Sequence, residues 1–226
     1  MWRYLVEAGA VFAKDMRTEL RTRVAFNALG LFAITTLAAV SYTIGPYRIA
    51  EADRPYLLSA LLWIVIFFAA MAGLDRSFVR EEDSHTAALL RLSARPLVVW
   101  GGKLLFNVVV LDLLMLILVP LYVVLMGFEV RSVAGLLWIL LAGGYTLAVT
   151  TTIVAAIIAR ASARGALFSV LSLPLLLPLL IFVIQGTRAV AEGSAGGATN
   201  ALRAVISLGG VMTLVSMVLF PAVWNE

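Results

Sequence analysis

Apolar residues run along this chain in long blocks, and the polar residues are confined to the gaps between them. Six blocks, at 24–44, 56–74, 104–126, 133–159, 165–184 and 202–224, each approach the roughly 20 residues that a helix needs to cross the hydrocarbon of a bilayer. Gly45-Pro46 closes the first block, and Pro55 stands where the first turn of the second helix needs no N–H. Residues 4–23 follow a different pattern. There Leu5, Ala8, Gly9, Phe12, Met16 and Leu20 recur at three-to-four spacing, while Glu7, Lys14, Arg17 and Arg21 take other faces. This predicts an amphipathic helix lying in the membrane interface, its basic residues toward anionic headgroups. The largest polar interruption, 75–103, lies between the second and third blocks and predicts two short helices. The Gly- and Ala-rich stretch 192–200, EGSAGGATN, reads as a mobile loop. Together these elements predict an all-α polytopic membrane protein with six transmembrane helices, forming one domain over 1–226.

Composition supports that class. The chain of 226 residues is 62% hydrophobic and 13% charged, and its mean hydropathy is +1.03. A soluble domain cannot cover so much apolar surface with a polar shell. The net charge of +4 does not indicate nucleic acid, because the basic residues sit at the ends of apolar blocks rather than on one folded surface. They orient the chain instead. Arg3, Lys14, Arg17, Arg21, Arg23, Arg76, Arg80, Arg91, Arg95, Lys103, Arg160 and Arg164 fall on one side of a six-span topology. Arg48, Arg54, Arg131, Arg188 and Arg203 fall on the other. The excess of positive charge places both termini and the 75–103 segment in the cytoplasm. The first 23 residues carry charge throughout and lack the apolar core of a cleavable signal peptide.

Enzyme chemistry finds no support. There is no cysteine for a disulfide, thiolate metal site or nucleophile. A single histidine allows neither a histidine pair for a metal nor a Ser-His-Asp set. Gly101-Gly102-Lys103 is followed by Leu104 and lacks the earlier glycine of a nucleotide-binding loop. The expectation is no enzyme activity and no cofactor bound by this chain.

The candidate residues fall into four groups. In the cytoplasmic segment, Arg80, Glu81, Glu82 and Asp83 precede a helix containing His85, Leu89, Leu90 and Arg91, with Asp83 or Ser84 as its cap. Ala87, Leu90 and Ala94 form its apolar stripe, with Leu89 and Leu92 beside it. This is either a coupling helix that docks on a cytoplasmic ATPase subunit or a helix lying on the membrane or on residues 4–23. In the third span, Asp112 is a costly intramembrane carboxylate, with Asn107 placed to solvate it; a structural role and an ion relay both stand. In the fourth, Gly144, Ala148, Thr152 and Ala156 make a row of small residues for close helix packing, within the chain or between copies. In the fifth, Pro174 and Pro178 each remove a backbone hydrogen bond, giving a hinge or a static kink; Ser169 and Ser172 stand ready to bond freed carbonyls.

A resemblance sharpens this reading. The basic amphipathic entry helix, Ile44-Gly45-Pro46, Leu74-Asp75-Arg76 with Phe78 ahead of the acidic stretch, Lys103, and SVLSLPLLLPLLIF at 169–182 together resemble the haem exporter protein B family, the membrane subunit of the cytochrome c maturation ABC transporter. The likeness runs over roughly residues 20–184. It implies a six-helix permease of the bacterial inner membrane, with ATP bound by a separate ATPase subunit. It also implies a Trp-rich haem-handling C subunit, a small D subunit and a periplasmic haem chaperone as partners, with haem as a candidate cargo of the complex. The alternatives are half of a general ABC exporter for a lipid or drug, or a membrane scaffold that moves nothing through itself.

Overall fold

The structure, a computed structural model, describes residues 2–45, 49–74, 76–83, 86–159 and 164–225; the side chains at 2, 3, 76, 77, 80, 164–166, 169 and 225 are outside the description. Among the described residues every regular element is a helix: α1 (Trp2–Thr22), α2 (Val24–Thr43), α3 (Arg54–Gly73), α4 (Arg76–Asp83), α5 (Ala87–Ser93), α6 (Pro96–Met126), α7 (Val133–Ile158), α8 (Arg164–Glu192) and α9 (Ala195–Asn225). Six of them, α2, α3, α6, α7, α8 and α9, are long and apolar enough to cross a membrane.

Besides the fifth span, which runs on to Glu192 rather than ending at 184, two boundaries differ from the sequence reading. The third span begins at Pro96, eight residues before the predicted 104, so the last part of the polar stretch is already helix. At 31 residues, α6 is about 46 Å long, longer than the roughly 30 Å of hydrocarbon. Its first turns can therefore carry Lys103 without placing a charge in lipid. The expected mobile loop at 192–200 is the second correction. Gly193, with φ at +78°, turns the chain, and α9 starts at Ala195. The Gly197 N–H donates to Ser194 Oγ at 3.3 Å, an N-cap that holds the new helix. A Cβ on Gly197 would stand 3.1 Å from the Ala189 methyl, so the glycine serves the close approach of α9 to α8.

The core lies where α3, α6, α7 and α8 meet, filled by Trp63, Phe67, Tyr122 and aliphatic side chains. Two of the large polar side chains of this core find partners inside the chain, as a bilayer favours. The Trp63 indole N–H donates to Thr187 Oγ1 at 2.8 Å, and the Tyr122 hydroxyl donates to the Leu58 carbonyl at 2.6 Å. Gly144, Ala148, Thr152 and Ala156 are all buried within this chain. A Cβ on Gly144 would fall 2.5 Å from the Met115 methyl of α6. On α8, helix continues through Pro174 and Pro178. Ser172 does not take up a freed carbonyl there: its Oγ is buried without a hydrogen-bond partner.

Candidate coupling site

The segment between the second and third spans is two short helices held to the membrane helices by aromatic rings and by charge. Phe78 of α4 is 1% exposed, with its ring 5.6 Å from Phe220 and 6.0 Å from Trp224 at the end of α9. Phe220 and Trp224 stack at 5.6 Å. The Arg91 guanidinium of α5 lies 5.0 Å over the Trp224 ring and donates to Glu82 Oε1 at 3.2 Å, tying α5 to both α4 and α9. A hollow of about 270 Å³ beneath them is lined by Phe78, Glu82, Arg91, Ala156 and Trp224.

The charged anchor lies beside the Phe78 ring. Lys103 of α6 is 0% exposed. Its ammonium donates to Asp15 Oδ2 of α1 at 3.0 Å and to Glu81 Oε1 of α4 at 3.1 Å, and stands 5.3 Å over the Phe78 ring. Lys14 also donates to Glu81 Oε1. Thr86, at the start of α5, donates to Glu81 Oε2 at 2.6 Å. A buried charge is tolerated only when paired and hydrogen-bonded, and here two carboxylates answer two ammoniums. Burial alone would raise the Glu81 carboxyl. The Lys103 charge, the hydrogen bonds from Lys14 and Thr86, and the Lys14 charge outweigh it and bring it down to about 2. Burial likewise works against the Lys14 charge, but Glu81 and Asp15 overcome it and raise the ammonium above its ordinary value.

Gly101 and Gly102 let α1 reach this depth. A Cβ on Gly102 would stand 2.6 Å from Val11 Cβ and 2.8 Å from the Ala8 carbonyl; one on Gly101 would stand 2.6 Å from the Tyr4 hydroxyl. Tyr4 donates to the Leu97 carbonyl at 2.8 Å. The protein-facing side of α1 thus runs through Tyr4, Ala8, Val11, Asp15 and Glu19, rotated from the predicted apolar stripe, and Leu5 and Leu20 stay exposed at 59% each. Glu19 Oε1 accepts the Phe26 N–H at 2.9 Å, capping α2 across the left-handed turn at Arg23.

The predicted interface residues therefore separate. Glu81 is 5% exposed and faces inward, so it belongs to the anchor and not to the chain's free surface. Glu82 and Arg91 pair with each other. Leu90 is half-buried, as is Ala94, while Asp83 is exposed. Leu89 and Leu92 project outward at 68% and 88% exposure. His85 and Ser84 lie outside the described residues, as does the side chain of Arg80. Thr86 and not Asp83 holds the N-cap position of α5, with its hydroxyl turned to Glu81 rather than to an α5 N–H. Sequence reasoning missed Lys14, Asp15, Lys103 and the two glycines as parts of this site. The available signal was the doublet Gly101-Gly102 directly before a lysine.

Deeper in the membrane, the Asn107 amide donates to Thr152 Oγ1 at 2.8 Å and does not solvate Asp112 as predicted. Asp112 is half-buried and faces a groove between α6 and α7. At the far end, a hollow of about 340 Å³ is lined by Glu51, Arg54, Glu129, Arg131 and Glu192.

Comparison with known proteins agrees with this architecture. A "Heme exporter protein B" from Bradyrhizobium diazoefficiens is 28% identical over 213 residues, covering 94% of this chain and 92% of that protein. The family model described as "CcmB protein" matches residues 6–224, nearly the whole chain and more than the 20–184 over which the resemblance could be read. This multi-pass membrane chain belongs to the CcmB protein family.

Proposed function

We propose that this chain is the membrane subunit of an ABC transporter complex for cytochrome c maturation. It receives force from a separate ATPase subunit through α4–α5 and uses it in haem delivery, or in release of a haem-loaded periplasmic chaperone. The name of the relative, a heme exporter protein, supports the cargo class. The observation that carries the coupling role is the two-sided build of α4–α5. The inner side is tied to α1 and α6 by the Lys14–Asp15–Glu81–Lys103 cluster and to α9 by Phe78 and Arg91. The outer side presents Leu89 and Leu92. A push on those leucines is passed to α1 and to two membrane helices, α6 and α9, at once, since packed elements move as rigid bodies.

The remaining assignments follow from that reading. The α4–α5 side faces the cytoplasm of a bacterium, both termini lie there, and the membrane is the inner one. ATP is held by the partner, and a Trp-rich haem-handling C subunit and a small D subunit complete the assembly. The centre of this single chain is filled by Trp63, Phe67 and Tyr122, which favours force transmission by it over a cargo path through its own helices.

The test is a mild-detergent pull-down of the tagged chain from native membranes, with mass spectrometry and a haem absorbance scan. An ATPase and a Trp-rich haem-handling protein are expected with the wild type, and the ATPase is expected to be lost from a Leu89→Glu/Leu92→Glu variant. Reversing Glu81, Glu82 and Asp83 together would be a poorer test, because it also breaks the internal anchor. An unrelated ATPase without haem would replace this reading with the general exporter. Retention of the ATPase by the double variant would remove the coupling assignment.

A further inference from the structure

The groove between α6 and α7 holds about 690 Å³ and is lined by apolar side chains, among them Leu113, Leu116, Val119, Leu137 and Leu140, with Asp112 the single charged residue. Lipid tails cover such a surface well at every position but one. Asp112 lies at mid-helix, its Oδ1 3.5 Å from where a Cβ on Gly144 would sit, so the carboxyl rests in the crease between the two helices. Asn107, the nearest amide on the same helix, is committed to Thr152. No described residue donates a hydrogen bond to Asp112. Pro120 also lines the groove, and without an N–H it leaves the Leu116 carbonyl lacking its helical donor. Of the side chains lining the groove, Asp112 alone is polar and none of the others is a donor. Acyl chains supply none either, and an unmet polar group in hydrocarbon is expensive.

We propose that this groove seats a transmembrane helix from a different subunit, an apolar helix carrying one hydrogen-bond donor that faces Asp112. A second copy of this chain fits poorly. None of its spans holds Lys, Arg or His at this depth. Self-pairing through the groove would also bring one Asp112 toward the other. The groove lies away from α4–α5, and the proposal rests on the ATPase reading only for the folding control below.

The chain has no cysteine, so single cysteines give a clean test in the native complex. Leu116→Cys lines the groove, and Val218→Cys on α9, 76% exposed, is the control. Each is loaded with a photoactivatable maleimide in membranes. Leu116→Cys is expected to cross-link to one other membrane subunit, through a peptide containing a donor residue within a span. Adding Asp112→Leu is expected to weaken that adduct roughly tenfold, with the Val218→Cys pattern and the ATPase pull-down unchanged. Leucine is well tolerated where lipid is the alternative, so a folding failure would appear as loss of the ATPase as well. With Asp112→Leu weakening the adduct, retention by Asp112→Asn identifies a neutral donor and loss identifies a cation. Adducts to lipid alone or to a second copy, or an adduct unaffected by Asp112→Leu, would overturn the proposal.

Discussion

Lys103 and Asp112 sit on the same helix, nine residues apart, and the protein treats them in opposite ways. Lys103 is sealed from solvent, and α1 and α4 both bring it carboxylates. Asp112 looks into an apolar groove and receives no hydrogen bond from the described residues. The desolvation cost is similar in kind for both groups. What differs is where the compensation comes from. A charge completed within the chain is an internal fastener. A charge left incomplete marks a place where the chain is not finished by itself. The first kind should govern stability and the second assembly.

The largest effect on stability is expected from Lys103→Met. It leaves the Asp15 and Glu81 carboxylates buried together without the central cation, and breaking such a pair from one side costs about 3–5 kcal/mol. Heat-challenge size-exclusion chromatography should show a clearly lower midpoint. Glu81→Gln added to Lys103→Met should recover part of the loss, because the partners act as one unit. A Lys103→Met chain as stable as wild type would erase the contrast with Asp112.

Acid sharpens the same contrast. The Glu81 carboxyl is held down to about 2 from an ordinary 4.5, so its contribution is complete at neutral pH. That contribution disappears as pH falls from about 4.5 through about 2, a swing of about 3 kcal/mol. Pepsin cleavage between α4 and α5 should rise steeply over this window in wild type. It should start high and change little in Glu81→Gln. A wild-type profile as flat as that of the variant would show that Glu81 does not hold α4.

The membrane helices were legible because span length and apolarity are local properties, and α2 and α7 begin and end within a residue of where the pattern places them. The anchor was not, because its parts come from distant points in the chain. Lys103 meets Asp15 and Glu81 across separations of 88 and 22 residues, and a lysine after a polar stretch reads as the edge of the bilayer. On α1, helical periodicity gave a helix and a stripe of which Ala8, Phe12 and Met16 pack on the body, but not its polar contacts. Asp15 and Glu19 turn inward because α6 and α2 offer them an ammonium and a free N–H, and no hydrophobic pattern encodes that. The start of α9 was misread for a related reason. Gly and Ala are weak signals alone, and only the approach of α8 shows why they are small.

Gly102→Val is expected to have an intermediate effect. Its Cβ alone would overlap Val11 Cβ and the Ala8 backbone, so α1 must move away from α6. Overpacking of this kind costs about 1–3 kcal/mol. Since α1 carries Asp15, the movement should also loosen the Lys103 cluster and raise proteinase K cleavage between α4 and α5 at neutral pH. If cleavage stays low, α1 and α4 are held independently, and the cluster is less of a unit than its distances suggest.

The smallest effect on stability belongs to Leu89→Glu/Leu92→Glu. Both side chains stand clear of the body at 68% and 88% exposure, and substitutions at such positions usually stay within about 0.5 kcal/mol. The thermal midpoint of the isolated chain should therefore match wild type, while association with the ATPase falls. That separation is the converse of the one expected for Lys103→Met. Two exposed leucines on a helix whose inner face is fully tied have no internal reason to be apolar, so their cost should appear only where another protein meets them. A double variant that melts early in isolation would mean that α5 packs on the body through these residues, and the outward face would then need to be sought elsewhere on α4–α5.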